Sequence, residues 1–234
     1  MKKMQLTKRI LINFIHLFFP RLCLLCRTPL IQEEKHICLD CLCDLPLTNF
    51  HTNENNPVFQ LLTGKVDIVS ATAWLHYEKG AKVQRLVHSF KYYNNKNIAY
   101  QLGRQMGLSL HSYIINQKID CLIPVPLHKK RRRQRGYNQS EWICKGLASV
   151  IHIPVCTNGL QRKTASDTQT KKSLYARWTN VQQLFVLNDK QDLEGKHILL
   201  IDDVVTSGST LGMCVKTLQE VSGIKISILA LAAA

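Results

Sequence analysis

Residues 198–210 read Ile198-Leu199-Leu200-Ile201-Asp202-Asp203-Val204-Val205-Thr206-Ser207-Gly208-Ser209-Thr210. Four apolar residues in succession are the pattern of a strand buried on both faces, as in a parallel sheet. Two carboxylates stand where that strand is expected to end. Small and hydroxyl side chains follow, and an apolar-periodic segment from Leu211 to Val221 then reads as a helix. Strand, tight loop and helix N-terminus together form a phosphate site. The unpaired N–H groups of the first helical turn face the anion, and the helix dipole favours negative charge there. Gly208 permits positive φ or a close approach of the backbone. The aspartates would repel a bare phosphate, so they need a partner of their own, a sugar diol or a bound Mg²⁺. The loop therefore reads as a site for a sugar phosphate. Neither G-x-x-x-x-G-K-[ST] nor G-x-G-x-x-G occurs in the chain, which excludes a P-loop and a dinucleotide fingerprint.

The same thirteen residues resemble the motif with which type I phosphoribosyltransferases bind phosphoribosyl pyrophosphate (PRPP). The resemblance implies an α/β fold, an open, mostly parallel sheet with flanking helices. It implies that Asp202 and Asp203 hold the ribose hydroxyls and that Thr206 through Thr210 cradle the 5′-phosphate. The PRPP-binding set is then Asp202, Asp203, Val204, Val205, Thr206, Ser207, Gly208, Ser209 and Thr210, with magnesium accompanying the ligand.

At 234 residues the chain can hold one α/β domain and a small additional module. Its net charge of +15 is unevenly spread. Residues 71–180 carry 19 Lys/Arg against 4 Asp/Glu, whereas residues 181–234 carry 4 against 6. The excess precedes the phosphate loop, which suits either a polyanionic partner or a solvated basic surface. Nine cysteines, an odd number of which only four cluster, do not form a disulfide framework; a reducing cytoplasm is the simpler setting.

Cys23-x-x-Cys26 and Cys38-x-x-Cys41 are separated by eleven residues. Each pair can wrap two thiolates onto one ion, and the intervening loop closes the tetrahedron. Zn²⁺ suits four sulfurs with no open position, so the site is structural. Cys43 could replace Cys41 as the fourth ligand. A redox C-x-x-C would want a βαβ setting, which is missing. Ahead of this module, Met1–Phe19 begins basic and turns apolar. The apolar run Ile10–Phe19 is too short to span a bilayer, and the segment reads either as an amphipathic helix packed on the protein or as a peripheral membrane contact. Residues 1–48 are thus expected to hold the helix and zinc module, the Asn-rich stretch 49–66 a linker, and 67–234 the main domain.

Within the main domain, Ile68–Tyr77 reads as a strand and Ala81–Phe90 and Ile98–Ile115 as helices. Tyr92 and Tyr93 could stack on bases or serve as rim packing. Cys121–Pro126 reads as a strand, short or at an edge because of Pro124 and Pro126. Lys129, Lys130, Arg131, Arg132, Arg133 and Arg135 follow, then a helix over Ser140–Val150. This basic loop lies at the carboxyl end of a strand, where open α/β sheets bind ligands. One or two of its cations would serve a diphosphate. Six at once point to a nucleic-acid backbone, or to a solvated charge run. The stretch Leu160–Phe185 shows little periodicity and reads as a loop that could close over a ligand. A weak strand near Phe185–Leu187 and a last strand Ile224–Ala232 complete the pattern.

The order of these features carries a closer resemblance. A four-cysteine module comes first. Pro124–Leu127, the basic run and Arg135-Gly136-Tyr137-Asn138-Gln139 come next. Arg162-Lys163-Thr164, Arg177-x-x-Asn180-Val181 and Phe185 precede the phosphate loop. Over nearly its whole length the chain resembles the ComF family (ComFC/GntX-like) of phosphoribosyltransferase-related competence proteins. That resemblance implies a role in natural transformation and in the use or uptake of DNA; single-stranded DNA as a partner beside PRPP rests on the charge asymmetry and on Lys129–Arg135. The resemblance also implies other competence proteins, such as a DNA helicase, as further partners. Two readings stand: a competence protein that binds PRPP and single-stranded DNA, and an active phosphoribosyltransferase on an unidentified nucleophile. A third is an assembly factor that docks on a partner through the zinc module.

Overall fold

The computed structural model describes residues 19–31, 33–92, 95–163, 184–188 and 190–234. The amphipathic segment expected before Phe19, Tyr93, and the greater part of the expected closing loop, with Arg177 and Asn180, lie outside the described residues. The chain divides into two units, one ending at Pro46 and the other covering Leu47–Ala234.

The first unit holds one described helix, α1 (Leu39–Cys43). The second runs through a 3₁₀ turn (Phe50–Thr52), α2 (Pro57–Leu62), β1 (Ser70–His76), α3 (Lys82–Tyr92), α4 (Lys96–Ser109), α5 (His111–Asn116) and β2 (Cys121–Pro124). It continues with α6 (Lys129–Arg135), α7 (Gln139–Ile151), β3 (Leu160–Arg162), β4 (Phe185–Leu187), a 3₁₀ turn (Gln191–Leu193), β5 (His197–Val205), α8 (Ser209–Leu218) and β6 (Lys225–Ala233). Among the described residues no helix is long and apolar enough to cross a membrane.

Four strands form a parallel sheet in the order β1-β6-β5-β2. Ile198–Ile201 of β5 are fully buried between β6 and β2, as an unbroken apolar run requires. β2 stops at Pro124, which cannot donate to a ladder. A single parallel bridge, Leu122 to Val155, lies beyond it. β3 and β4 form a separate antiparallel pair. The fold is thus the type I phosphoribosyltransferase arrangement, a mostly parallel sheet with flanking helices.

Four expectations are corrected. The strand does not end at the aspartates: β5 continues through both to Val205, pairing Asp202 with Ala230 and Val204 with Ala232. The basic run is not a loop but the helix α6. Arg and Lys are good helix formers, His128 Nδ1 accepts from the Lys130 N–H at its start, and Gly136 ends it at φ 75°. The expected linker 49–66 carries a 3₁₀ turn and α2, whose Val58 and Leu62 are buried in the main core. There Asn56 caps α2 through its Oδ1, while its Nδ2 donates to Ala71 O (2.7 Å) and Asn53 O (2.9 Å). The single helix expected over Ile98–Ile115 is divided at Leu110.

Helices α4 and α7 meet at glycines. A Cβ on Gly146 would collide with the Tyr100 carbonyl oxygen and lie 2.9 Å from Arg104 N, and one on Gly103 would collide with the Ile143 carbonyl. Backbone cannot yield as a flexible side chain can, so the two helices must move apart. Gly146→Ala is expected to lose roughly 3 kcal/mol of stability despite its better helix propensity. Urea unfolding checks this; an unchanged or raised midpoint contradicts it.

Candidate ligand site and four-cysteine centre

Because the sheet is parallel, the carboxyl ends of its strands share one edge. That edge brings together the end of β5, the turn before α7 and the last turn of α3. A small concavity of ≈ 40 Å³ opens there, lined by Asp202 and by residues 204–211. Thr206, Ser207 and Ser209 are exposed, Thr210 is half-buried and Gly208 is buried. Gly208 takes φ 70°, and a Cβ on it would lie 3.2 Å from Leu62 Cδ2, so the turn suits glycine twice over. It offers α8 no side-chain cap. The first-turn N–H groups of α8 are therefore available to an anion, save for a long contact from Ser209 N–H to Ser207 Oγ (3.4 Å).

The two aspartates stand in different surroundings. Asp202 Oδ1 accepts from the Ser140 hydroxyl (3.2 Å) and from the Asp203 N–H (2.8 Å). Burial, and next the charge of Asp203, push its carboxyl up to about 7. Asp203 Oδ2 lies 2.9 Å from Lys91 Nζ, and its Oδ1 accepts from the Val204 N–H (2.7 Å). Ser140 is set by the turn before α7: Asn138 Oδ1 accepts from the Ser140 N–H (3.2 Å), and Asn138 Nδ2 donates to Val125 O (3.0 Å). The Tyr137 hydroxyl donates to Phe90 O and so ties α3 to the same turn. Lys91 and Ser140 were not found from the sequence. Neither sits in a spacing that points at the aspartates, although Ser140 directly follows the Arg135–Gln139 motif.

A raised carboxyl costs stability as pH climbs. The unfolded group ionises near its ordinary value of 3.8, the folded one near 7, so the penalty appears between those values and is complete above them. Asp202→Asn removes it. The variant is expected to exceed the parent protein by on the order of 1–3 kcal/mol at pH 8 and to match it near pH 4. Thermal melts of the ligand-free proteins at the two pH values test this; equal differences at both would contradict it.

The basic run divides on the structure. Lys129, Lys130, Arg131, Arg132 and Arg133 are exposed, and Arg132 reaches Glu141 at 3.8 Å. Arg135 is half-buried, donates from Nη1 to Gln139 Oε1 (3.0 Å) and stands 5.7 Å from the centre of the Tyr92 ring. Tyr92 is exposed.

In the first unit Cys23, Cys26, Cys38 and Cys41 converge, with all four sulfurs within 4.8 Å of one another. A tetrahedron with Zn–S bonds of about 2.3 Å has edges of about 3.8 Å, so the cluster fits zinc. Backbone N–H groups point at the sulfurs: Leu25 and Cys38 donate to Cys23 Sγ (3.4 and 3.3 Å), and Cys41 to Cys38 Sγ (3.5 Å). Such donors stabilise thiolates. Hydrogen bonding from the Thr28 side chain and backbone brings the Cys26 thiol down to about 6. Arg27 takes φ 68° in the turn after Cys26. Cys43 is exposed and stands outside the cluster. Among the described residues no other group of three or more His, Cys, Asp or Glu could hold a metal.

The sequence profile of the phosphoribosyl transferase domain matches residues 142–234. The chain is 30% identical to the DNA utilization protein YhgH of Escherichia coli O157:H7 over 212 residues, covering 82% of this chain and 88% of that protein. It is 31% identical over 153 residues to Competence protein F of Haemophilus influenzae, covering 64% and 67%. Against Competence protein ComFC of Bacillus subtilis the identity is 24% over 200 residues, covering 86% and 78%.

Proposed function

Because the chain belongs to the ComF family of phosphoribosyltransferase-related proteins, we propose that it binds PRPP at Asp202–Thr210 and single-stranded DNA on α6, in the use or uptake of DNA. The observation that carries the PRPP part is the N-terminus of α8, capped by Gly208, lining a polar concavity together with Asp202. The loop takes the 5′-phosphate on N–H groups and hydroxyls, and the aspartates accept from the ribose hydroxyls. The carboxylates are hard oxygen donors and fit magnesium, which supplies charge neutralisation at the diphosphate. With two carboxylates at the site among the described residues, the rest of that ion's shell comes from PRPP and water.

The split of the basic run supports assigning its members to two anions. Arg135, half-buried and held by Gln139, suits the diphosphate. The exposed cations Lys129 through Arg133 suit a nucleic-acid backbone, which the names of the relatives also favour. Each phosphate neutralised on a single strand releases counterions, so log affinity falls with log salt by about 0.7 per contact. Replacing Arg131, Arg132 and Arg133 by Ala should weaken binding to all sequences alike and flatten that slope by about 2 units. PRPP affinity should change little. Fluorescence anisotropy across a salt series is the test, and equal slopes in the two proteins would leave α6 a solvated surface.

A second reading, transfer of the phosphoribosyl group to an unidentified nucleophile, rests on the half-burial of Arg135 and its bond to Gln139. A cation held beside the departing diphosphate stabilises the charge that develops there. Release of pyrophosphate from PRPP in the presence of DNA, lost in Arg135→Ala, would select this reading.

A further inference from the structure

Lys91 belongs to none of the motifs quoted for the site, yet it forms an ion pair with one of the two aspartates. Its ammonium lies 2.9 Å from Asp203 Oδ2, with the two side chains 17% and 14% exposed. It does not swing freely. The carbonyl of the preceding residue, Phe90, accepts from the buried Tyr137 hydroxyl, which anchors the last turn of α3 at the site. Each acid thus has an internal partner, the neutral Ser140 for Asp202 and the cationic Lys91 for Asp203. An ammonium 2.9 Å from Asp203 Oδ2 competes in charge and in place with a divalent cation, which would bond to that oxygen at about 2.1 Å.

We propose that Lys91 is a positioning residue whose ammonium holds the cation place on Asp203 in the ligand-free protein and yields it to the magnesium that arrives with PRPP. Lys91 then sets how much magnesium the site requires. It also keeps the acid pair from standing as two uncompensated charges before the ligand arrives. The purpose of this exchange rests on the PRPP reading; its test does not.

The test uses Mn²⁺ alone, without PRPP, added to the full chain at pH 8 and low salt, with free ion counted by electron paramagnetic resonance. Lys91→Gln is expected to bind Mn²⁺ about tenfold more tightly than the parent protein, since a competing cation has been removed. Lys91→Arg should bind like the parent, because the charge is kept. Adding Asp203→Asn to Lys91→Gln should abolish the gain. A bridge that only ties α3 to β5 predicts unchanged or weaker Mn²⁺ binding in Lys91→Gln, and that result overturns the proposal. Should Lys91→Gln fail to fold, Lys91→Met is read by the same criterion. A gain in Mn²⁺ affinity in a protein that does not bind PRPP would retain the exchange on Asp203 and reject the PRPP reading.

Discussion

Replacing Cys23 by Ser is expected to release the zinc ion and unfold the cysteine module of the first unit. Cys23 is fully buried, and its sulfur accepts two backbone N–H groups as well as facing the other three thiols. A serine hydroxyl neither carries the charge nor reaches the length of a Zn–S bond. Among the described residues of the module, the buried apolar ones beyond the cysteines are Leu25 and Leu45, and its one described helix has five residues. Structural zinc in such small modules contributes roughly 10–16 kcal/mol of apparent binding free energy, comparable to an entire domain's usual margin. The unit from Leu47 onward has its own core, built on the central strand, and should stay folded. Metal analysis should give one zinc per chain in the parent protein and none in Cys23→Ser. Limited proteolysis should cut the variant between residues 19 and 46. A variant that retains zinc and resists cleavage there would refute the assignment.

The parts of this molecule that were legible in its sequence are those built from neighbours in the chain. The apolar run, two acids, hydroxyl loop and helix of residues 198–210 name their own geometry, and the two C-x-x-C pairs name theirs. What could not be read were contacts between distant segments. Ser140 reaches Asp202 and Lys91 reaches Asp203 only because the parallel sheet brings the turn before α7 and the end of α3 to one edge. No spacing encodes that. The continuation of β5 past the acids depends on small residues of β6, Ala230 and Ala232, lying alongside. Two other features did have a local signal. Asn56-Pro57 is a helix start, with an amide cap and proline at the first position, but the polar composition around it suggested a linker. The basic run has good helix formers and a terminal glycine, but its charge drew attention away from its propensity.

Removing both carboxylates, Asp202→Ala with Asp203→Ala, is expected to cost PRPP binding more than a hundredfold. Each charged acceptor that loses its hydroxyl partners gives up roughly 1.5–3 kcal/mol, and the site would also lose its hard oxygen donors for magnesium. The fold should persist. Relieving the burial of Asp202 removes a penalty, and strand β5 keeps its ladder and its four buried apolar residues. Circular dichroism should show the double variant as folded as its parent, which separates loss of a ligand from loss of structure. The decisive measurement is a calorimetric titration of PRPP with magnesium into the two proteins side by side. The parent protein should give a saturable, one-site isotherm, and the folded double variant no measurable heat of binding. Equal affinity in both would contradict the assignment of the aspartate pair and its loop as the PRPP site.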